Sequence, residues 1–388
     1  MSVGQRLVTL AAAVGMAALL AAAAAPGASN RLPDWATPQI ATVVSHGLMG
    51  APSVHKFRPN ATLTRQTLSD LAFGLRQELA FPAPPPPPGT TTTSTTTTET
   101  VPTTTTSTTT TATTTTVAPT VSNPAGTVTM AQLDRNLVQS LGLGQAAKEF
   151  AQGARAAGLA VPGRFGFEVV ARLLGLRTNH PAAQDFLELR PQDPATRAEA
   201  AYSAAQILGF GLLEDSWQIQ EVQSLADTFM LPTFDDWQKQ ILGVAFSKIG
   251  MPYVWGGTND AQEVDFGVTA RGGYDCSGFV WRVYKLQSYP NDGNLASTIL
   301  GRTTYTMSVE VPRSKRISFA KLQPADLLFF GTKGTHSTGA QVFHTAIYVG
   351  NGWFIQSSGY GVALAQLSGW YKKKFAWGRR PLHEAGLE

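Results

Sequence analysis

The chain holds one cysteine in 388 residues, Cys276, in the run Tyr274-Asp275-Cys276-Ser277-Gly278-Phe279-Val280. A lone thiol cannot form an intrachain disulfide, which leaves nucleophilic chemistry or plain packing as its use. Gly272-Gly273 breaks the backbone before it, and Phe279, Val280, Val283 and Leu286 recur at helical spacing after it. The spacing therefore predicts a sulfur near a helix N-terminus. Free N–H groups and the helix dipole at that position favour the thiolate, the nucleophilic form of the side chain. Amide hydrolysis by a thiol also needs a base, a group that orients the base, and donors for the oxyanion. Six histidines are available. His46, His55 and His180 lie far upstream, His383 is in the tail, and His336 sits in a Gly/Thr-rich loop. His344 stands in a strand-like run, a rigid element where a histidine is otherwise often just a satisfied polar side chain. Gln356 follows in the next such run; its amide accepts a hydrogen bond from an imidazole but brings no charge.

Strand alternation decides whether those two side chains meet. A two-residue Asn351-Gly352 turn would pair Gly350 with Trp353 and turn Gln356 away from His344. A three-residue loop, Gly350 to Gly352, instead pairs Val349 with Trp353 and Ala346 with Gln356, which puts Gln356 on the face of His344 at the diagonal position. The three-residue loop is the expectation, with Gly352 in the left-handed conformation.

The elements that must position these residues occupy the last 150 or so residues. After Pro232, Thr233 with Asp236 reads as a capping-box start, and Trp237, Ile241, Val244, Ala245 and Ile249 form an apolar helical stripe. From Leu327 onward the runs 327–330, 342–349 and 353–357 are short and rich in Val, Ile, Phe and Tyr, as strands are. Helices first and antiparallel strands afterwards imply an α+β domain. Gly250-Met251-Pro252-Tyr253-Val254-Trp255-Gly256-Gly257, the cysteine run, Pro324-Ala325-Asp326-Leu327-Leu328-Phe329-Phe330 and Phe343-His344-Thr345-Ala346-Ile347-Tyr348-Val349-Gly350, in that order, resemble the NlpC-type cell-wall peptidases, a papain-like family of cysteine hydrolases. The resemblance implies a papain-like domain with the nucleophile on a helix packed against an antiparallel sheet. Cys276 then matches the nucleophile, His344 the catalytic histidine, and Gln356 a position where the family usually carries His. Tyr253 matches the tyrosine beside the reacting centre. Asp275 and Ser277 match residues that contact a substrate amine, and Trp255 in the same cleft segment is assigned to substrate binding. A half-buried aromatic for Tyr253 and a helix cap for Asp275 are compatible plain roles. The stretch between Gly257 and Asp275 is longer than the family's by about ten residues, and Gln262-Glu263-Val264-Asp265 falls in the insertion.

The rest of the chain reads as an export and anchoring apparatus. Residues 1–28 have a signal-peptide layout, with Arg6 followed by an apolar run from Leu7 to Ala25; a retained anchor helix is the competing reading. Residues 82–127 are Pro/Thr-rich, with too little apolar surface to order, and serve as a spacer or an O-glycosylated stalk. Helical regions at 29–81 and 128–225 flank it, and the peptidase-like domain follows at 228–388. Thr64-Arg65 and Thr196-Arg197 each introduce a helix, in units that weakly resemble S-layer homology repeats, with a degenerate copy placed around 145–176. That resemblance implies wall polysaccharide as a partner. Net charge is +4 with pI about 9.1, but no Lys/Arg stripe marks a nucleic-acid surface. No recognisable ligand spacing points to a metal and no phosphate loop to a nucleotide, so no cofactor is expected. The expectation is a secreted, wall-associated thiol peptidase acting on peptidoglycan stem peptides, without stable membrane insertion once the leader is removed. The alternatives are a wall-binding scaffold without turnover, or amidase or transpeptidase chemistry on the same fold.

Overall fold

Three threonines open three helices by one device. Thr64 accepts from the N–H of Thr67 at the start of α2 (Arg65–Glu78). Thr129 accepts from Gln132 at the start of α3 (Met130–Ser140), and Thr196 accepts from Glu199 at the start of α6 (Arg197–Leu208). Capping of this kind satisfies N–H groups that the first turn leaves without partners. The extended residues just before each cap close a ring. Leu63 N–H donates to Ala195 O (2.8 Å), Ala195 N–H to Val128 O (2.8 Å), and Val128 N–H to Leu63 O (3.1 Å). All three side chains are buried, so three related helices radiate from one hydrogen-bonded knot.

The knot corrects the sequence reading in two places. Its third member is at 127–140, where Met130 stands in place of the arginine that marks the other two copies. The stretch read as a degenerate unit is the helix–loop–helix α4 (Gly144–Ala156) and α5 (Phe165–Leu173), neither of which has a side-chain cap. The computed structural model describes residues 32–79 and 121–388. The predicted leader and most of the predicted spacer lie outside the described residues, but 121–127 do not behave as spacer. Thr127 pairs with Thr64, and Gly126 O and Pro124 O accept from the first N–H groups of α2.

The remaining α-helices among the described residues of this half are α1 (Thr37–Ser45) and α7 (Trp217–Asp227). The next, α8 (Asp236–Ser247), is started by a capping box of Asp235 and Gln238, two residues beyond the expected Thr233–Asp236 pair. Ile241, Leu242, Ala245 and Phe246 on its inner side, and Ile249 just beyond its end, are buried. The second half carries five antiparallel strands. These are β5 (Leu327–Gly331), β6 (Val342–Gly350), β7 (Trp353–Ser358), β8 (Gly361–Gln366) and β9 (Phe375–Arg379), in the spatial order β8-β7-β6-β5-β9. The first three match the strands read from sequence; β8 and β9 were not foreseen. Ahead of the sheet, β1 (Thr258–Asn259) pairs with β4 (Gly273–Tyr274), and the insertion between them forms a hairpin of β2 (Glu263–Asp265) and β3 (Val268–Ala270). Helix α9 (Cys276–Trp281) continues into a π turn, Arg282–Leu286. Short helices α10 (Leu295–Thr298), α11 (Thr304–Val309), α12 (Gly369–Lys374) and α13 (Pro381–Glu384) complete the α+β arrangement.

The sequence boundary near 225–228 is not a boundary in packing. Phe150 of α4, Phe229 and Trp353 of β7 bring their rings within 4.9–5.9 Å of one another, and Phe165 of α5 stacks on Phe246 of α8 at 5.1 Å. Arg172 crosses the same seam, donating to Gly250 O at 2.7 Å and pairing with Glu168 at 3.2 Å. Both are buried, and burial pushes the Glu168 carboxyl up to about 7 despite the arginine beside it. The crossing of α4 and α5 depends on Gly166, where an added Cβ would fall 1.7 Å from Ala147 O. The obstacle is backbone and cannot swing aside, so Gly166→Ala should lower unfolding free energy by about 3 kcal/mol. Urea denaturation of the full chain checks this; an unchanged midpoint would mean the two helices have room to part.

Candidate active site

Cys276 begins α9, and Asp275 caps it by accepting from Gly278 N–H at 2.5 Å. The glycine in this run has a steric reason: a Cβ on Gly278 would lie 1.9 Å from Gly257 O, so α9 sits directly on the 253–257 segment. Phe279, Val280 and Val283 are buried as the spacing predicts, but Leu286 is 44% exposed. The π turn widens the helix there and rotates the last position off the apolar stripe. The expected low thiol pKa is also reversed. Burial and the neighbouring Asp275 charge push the Cys276 thiol up, against hydrogen bonds from Thr304 and from the backbone N–H groups of Thr345 and Ser277. Desolvation of a thiolate outweighs the contribution of a short helix terminus.

His344 meets Gln356 as required. Its Nε2 lies 2.6 Å from Gln356 Oε1, and Gln356 Nε2 donates to the Tyr371 hydroxyl at 2.7 Å. Tyr371 thus turns the amide oxygen toward the imidazole, which places the ring proton on Nε2 and leaves Nδ1 bare. Burial pushes the His344 pKa down to about 4, with the Gln356 contact opposing; Phe330 packs beside the ring at 5.7 Å. The hairpin reaches this geometry by a route other than the one expected. Ile347 pairs with Ile355 and Tyr348 with Phe354, which is the anticipated register, but Gly350 pairs with Trp353. A two-residue Asn351-Gly352 turn with both φ positive is combined with a bulge at Val349. The bulge absorbs one residue and restores the parity that the turn alone would have broken.

Tyr253, Trp255, Asp275, Cys276 and Ser277 line one cleft of about 570 Å³, together with Arg302. His344 lies between Phe343, which lines this cleft, and Thr345, whose N–H reaches the thiol. Burial raises the Tyr253 pKa, keeping its hydroxyl protonated and able to donate. Trp255 is 54% exposed at the rim, and its N–H donates to Asp185 Oδ2 of the helical half at 2.8 Å. The inserted hairpin brings Phe266, 83% exposed, to the same rim.

Asp275 and Ser277 are engaged by a residue that the sequence reading missed. Arg302 Nη1 donates to Asp275 Oδ1 (3.2 Å) and to Ser277 Oγ (2.9 Å), and its Nη2 to Asp275 Oδ2 (3.2 Å) and Gly256 O (2.5 Å). One guanidinium thereby ties the nucleophile's helix to the 253–257 segment. Nothing in the local periodicity around Arg302 signals this; the contact is set by tertiary folding. Among the described residues no group of three or more His, Cys, Asp or Glu is placed to hold a metal ion, and no helix is long and apolar enough to cross a membrane.

Residues 250–380 match the model of the NlpC/P60 family. The murein DD-endopeptidase MepH of Escherichia coli is 31% identical over 144 residues, 37% of this chain and 45% of that protein. The bifunctional muramidase/DL-endopeptidase CwlT of Bacillus subtilis is 31% identical over 137 residues, 35% of this chain and 34% of that one. A solved NlpC/P60 family protein from Bacillus cereus is 26% identical, covering 39% of this chain and 42% of that chain with a TM-score of 0.26. The chain thus spans less than half the length of the curated relatives it matches.

Proposed function

We propose that the C-terminal half is a cysteine endopeptidase that hydrolyses peptide bonds of the peptidoglycan stem, at the bond between D-glutamate and the diamino acid. The observation that carries this reading is the 2.6 Å contact of His344 with Gln356, which leaves Nδ1 unprotonated on the strand that borders the Cys276 cleft. Cys276 sulfur attacks the carbonyl carbon while its proton passes to Nδ1. The oxyanion is held by the Tyr253 hydroxyl and the Cys276 N–H. His344 returns the proton to the leaving amine, the C–N bond breaks, and water then cleaves the thioester to a carboxylate and the free thiol. A neutral base suits this sequence. With His344 titrating at about 4 and the thiol raised, the resting pair is thiol and imidazole rather than thiolate and imidazolium. The names of the relatives support peptidoglycan as substrate class; the particular bond rests on the motif resemblance. The second reading, a wall-binding scaffold without turnover, draws on the raised thiol pKa.

The helical half is proposed to hold the enzyme at the wall of the cell that exports it. Arg65, Arg76, Arg135 and Arg164 line a cleft of about 620 Å³ beside α2 and α3, a fit for an anionic wall polysaccharide.

Incubation of the full chain with muropeptides should release products with new amino termini at the diamino acid, identified by mass spectrometry, and Cys276→Ala should release none. Binding without new termini would favour the scaffold, and cleavage by Cys276→Ala at the wild-type rate would exclude the thiol mechanism. The chain should also co-sediment with isolated walls, and Arg65→Glu with Arg76→Glu should reduce the bound fraction several-fold. Equal sedimentation with walls stripped of non-peptidoglycan polysaccharide would exclude that partner.

A further inference from the structure

Thr304 belongs to no motif in the sequence, yet its Oγ1 lies 3.3 Å from Cys276 Sγ. The residue is 8% exposed and is held from both sides. Before it, Arg302 is fixed to Asp275, Ser277 and Gly256 O. Around it, Thr303 and Thr306 form the capping box of α11, with Thr303 Oγ1 accepting from Thr306 N–H at 3.2 Å and Thr306 Oγ1 from Thr303 N–H at 3.0 Å. A β-branched side chain at the first position of a capped turn has few rotamers to choose from. The hydroxyl is therefore presented to the sulfur by an element that does not otherwise enter the chemistry.

The sulfur needs such a donor. It is half-buried at the cleft wall, and the Asp275 carboxylate lies beside it on its own helix, both of which oppose a thiolate. The titratable groups that line its cleft from other elements are Tyr253, whose hydroxyl stays protonated, Asp265 on the inserted hairpin, Tyr305 on α11, and Arg302, whose charge is already committed to Asp275; His344, on the bordering strand β6, is neutral above about pH 4. None of these supplies a net positive charge at the sulfur in the resting state. Neutral donors are what remain, and Thr304 is the side-chain donor in contact.

We propose that Thr304 is a catalytic residue whose hydroxyl donates a hydrogen bond to the Cys276 thiolate as it forms. This rests on Cys276 being the nucleophile of the proposed reaction. The hydroxyl makes and breaks no covalent bond. The thiol proton goes to His344 Nδ1, Thr304 stabilises the charge left on sulfur, and the bond weakens as the sulfur lone pair is drawn into the C–S bond. A hydrogen bond to a charged acceptor is stronger than one to a neutral acceptor, so the contact favours the ionised state over the resting thiol.

The test needs no substrate, because Cys276 is the only thiol in the chain. The rate of alkylation by iodoacetamide, followed by intact mass across pH in the full chain, reports the fraction of thiolate. Thr304→Val keeps the shape and removes the donor. Its alkylation midpoint should rise by about one pH unit, a tenfold loss of thiolate at any pH below the midpoint. Thr304→Ser keeps a hydroxyl and should stay within a few tenths of a unit of wild type, and Thr304→Ala should follow Val. A midpoint unchanged in Val and Ala, or moved equally in Ser, would overturn the proposal by showing that the residue only packs. Alkylation is read independently of muropeptide cleavage. A shifted midpoint in a protein that cleaves nothing would leave the Thr304 contact standing and count against the peptidase reading alone.

Discussion

The site depends on the hydrogen bond between His344 Nε2 and Gln356 Oε1. An uncharged partner orients the imidazole and fixes its tautomer but favours the imidazolium less than burial opposes it, so burial decides where the ring titrates. A carboxylate at Gln356 would raise the histidine and draw the pair toward thiolate–imidazolium; glutamine leaves both groups neutral at rest. The surroundings follow from that choice. Tyr371 points the amide oxygen inward, and the bulge at Val349 places Gln356 on the correct face. The next residue, Ser357, turns the other way and donates to Tyr274 O at 2.6 Å. One strand thus holds the base's partner with one residue and the backbone leading to the nucleophile with the next.

The helical half contributes to the same geometry. Arg172 reaches Gly250 O at the foot of the cleft segment, and Asp185 takes the N–H of Trp255 within it. With the aromatic packing of Phe150 and Phe229 on Trp353, these contacts make the two halves one apolar core. A peptidase fragment cut at residue 228 would expose that face and lose two of the groups that position the 250–257 segment.

What was legible in the sequence was what local pattern encodes. The lone cysteine, the helix after it, and the first strands of the sheet follow from residue type and period, and strand parity brought Gln356 to His344. The turn was misread because parity counts residues, whereas the chain inserted a bulge. Gly350 at φ +112° makes this possible, and a side chain there would also meet Pro232 at 2.6 Å. Thr304 and Arg302 were invisible for a different reason: they reach Cys276 and Asp275 across 28 and 27 residues of chain. The third capped helix escaped because Met130 replaces the arginine that advertised its companions, although the backbone ring needs no particular side chain there. The sign of the thiol shift was lost because burial, which dominates it, is a property of the assembled core.

The central claim is that His344 is a neutral base in the resting protein, and an NMR titration of the full chain with labelled histidine tests it most directly. Because the folded-state pKa is depressed, the imidazole stays neutral as pH falls through 6.5 and protonates only near 4. The His344 ring resonances should therefore hold still between pH 8 and about 5 and move with a midpoint near 4, in contrast to a model histidine at about 6.5. A midpoint at or above about 6.5, accompanied by a Cys276 thiolate, would contradict the account and show a preformed ion pair in its place.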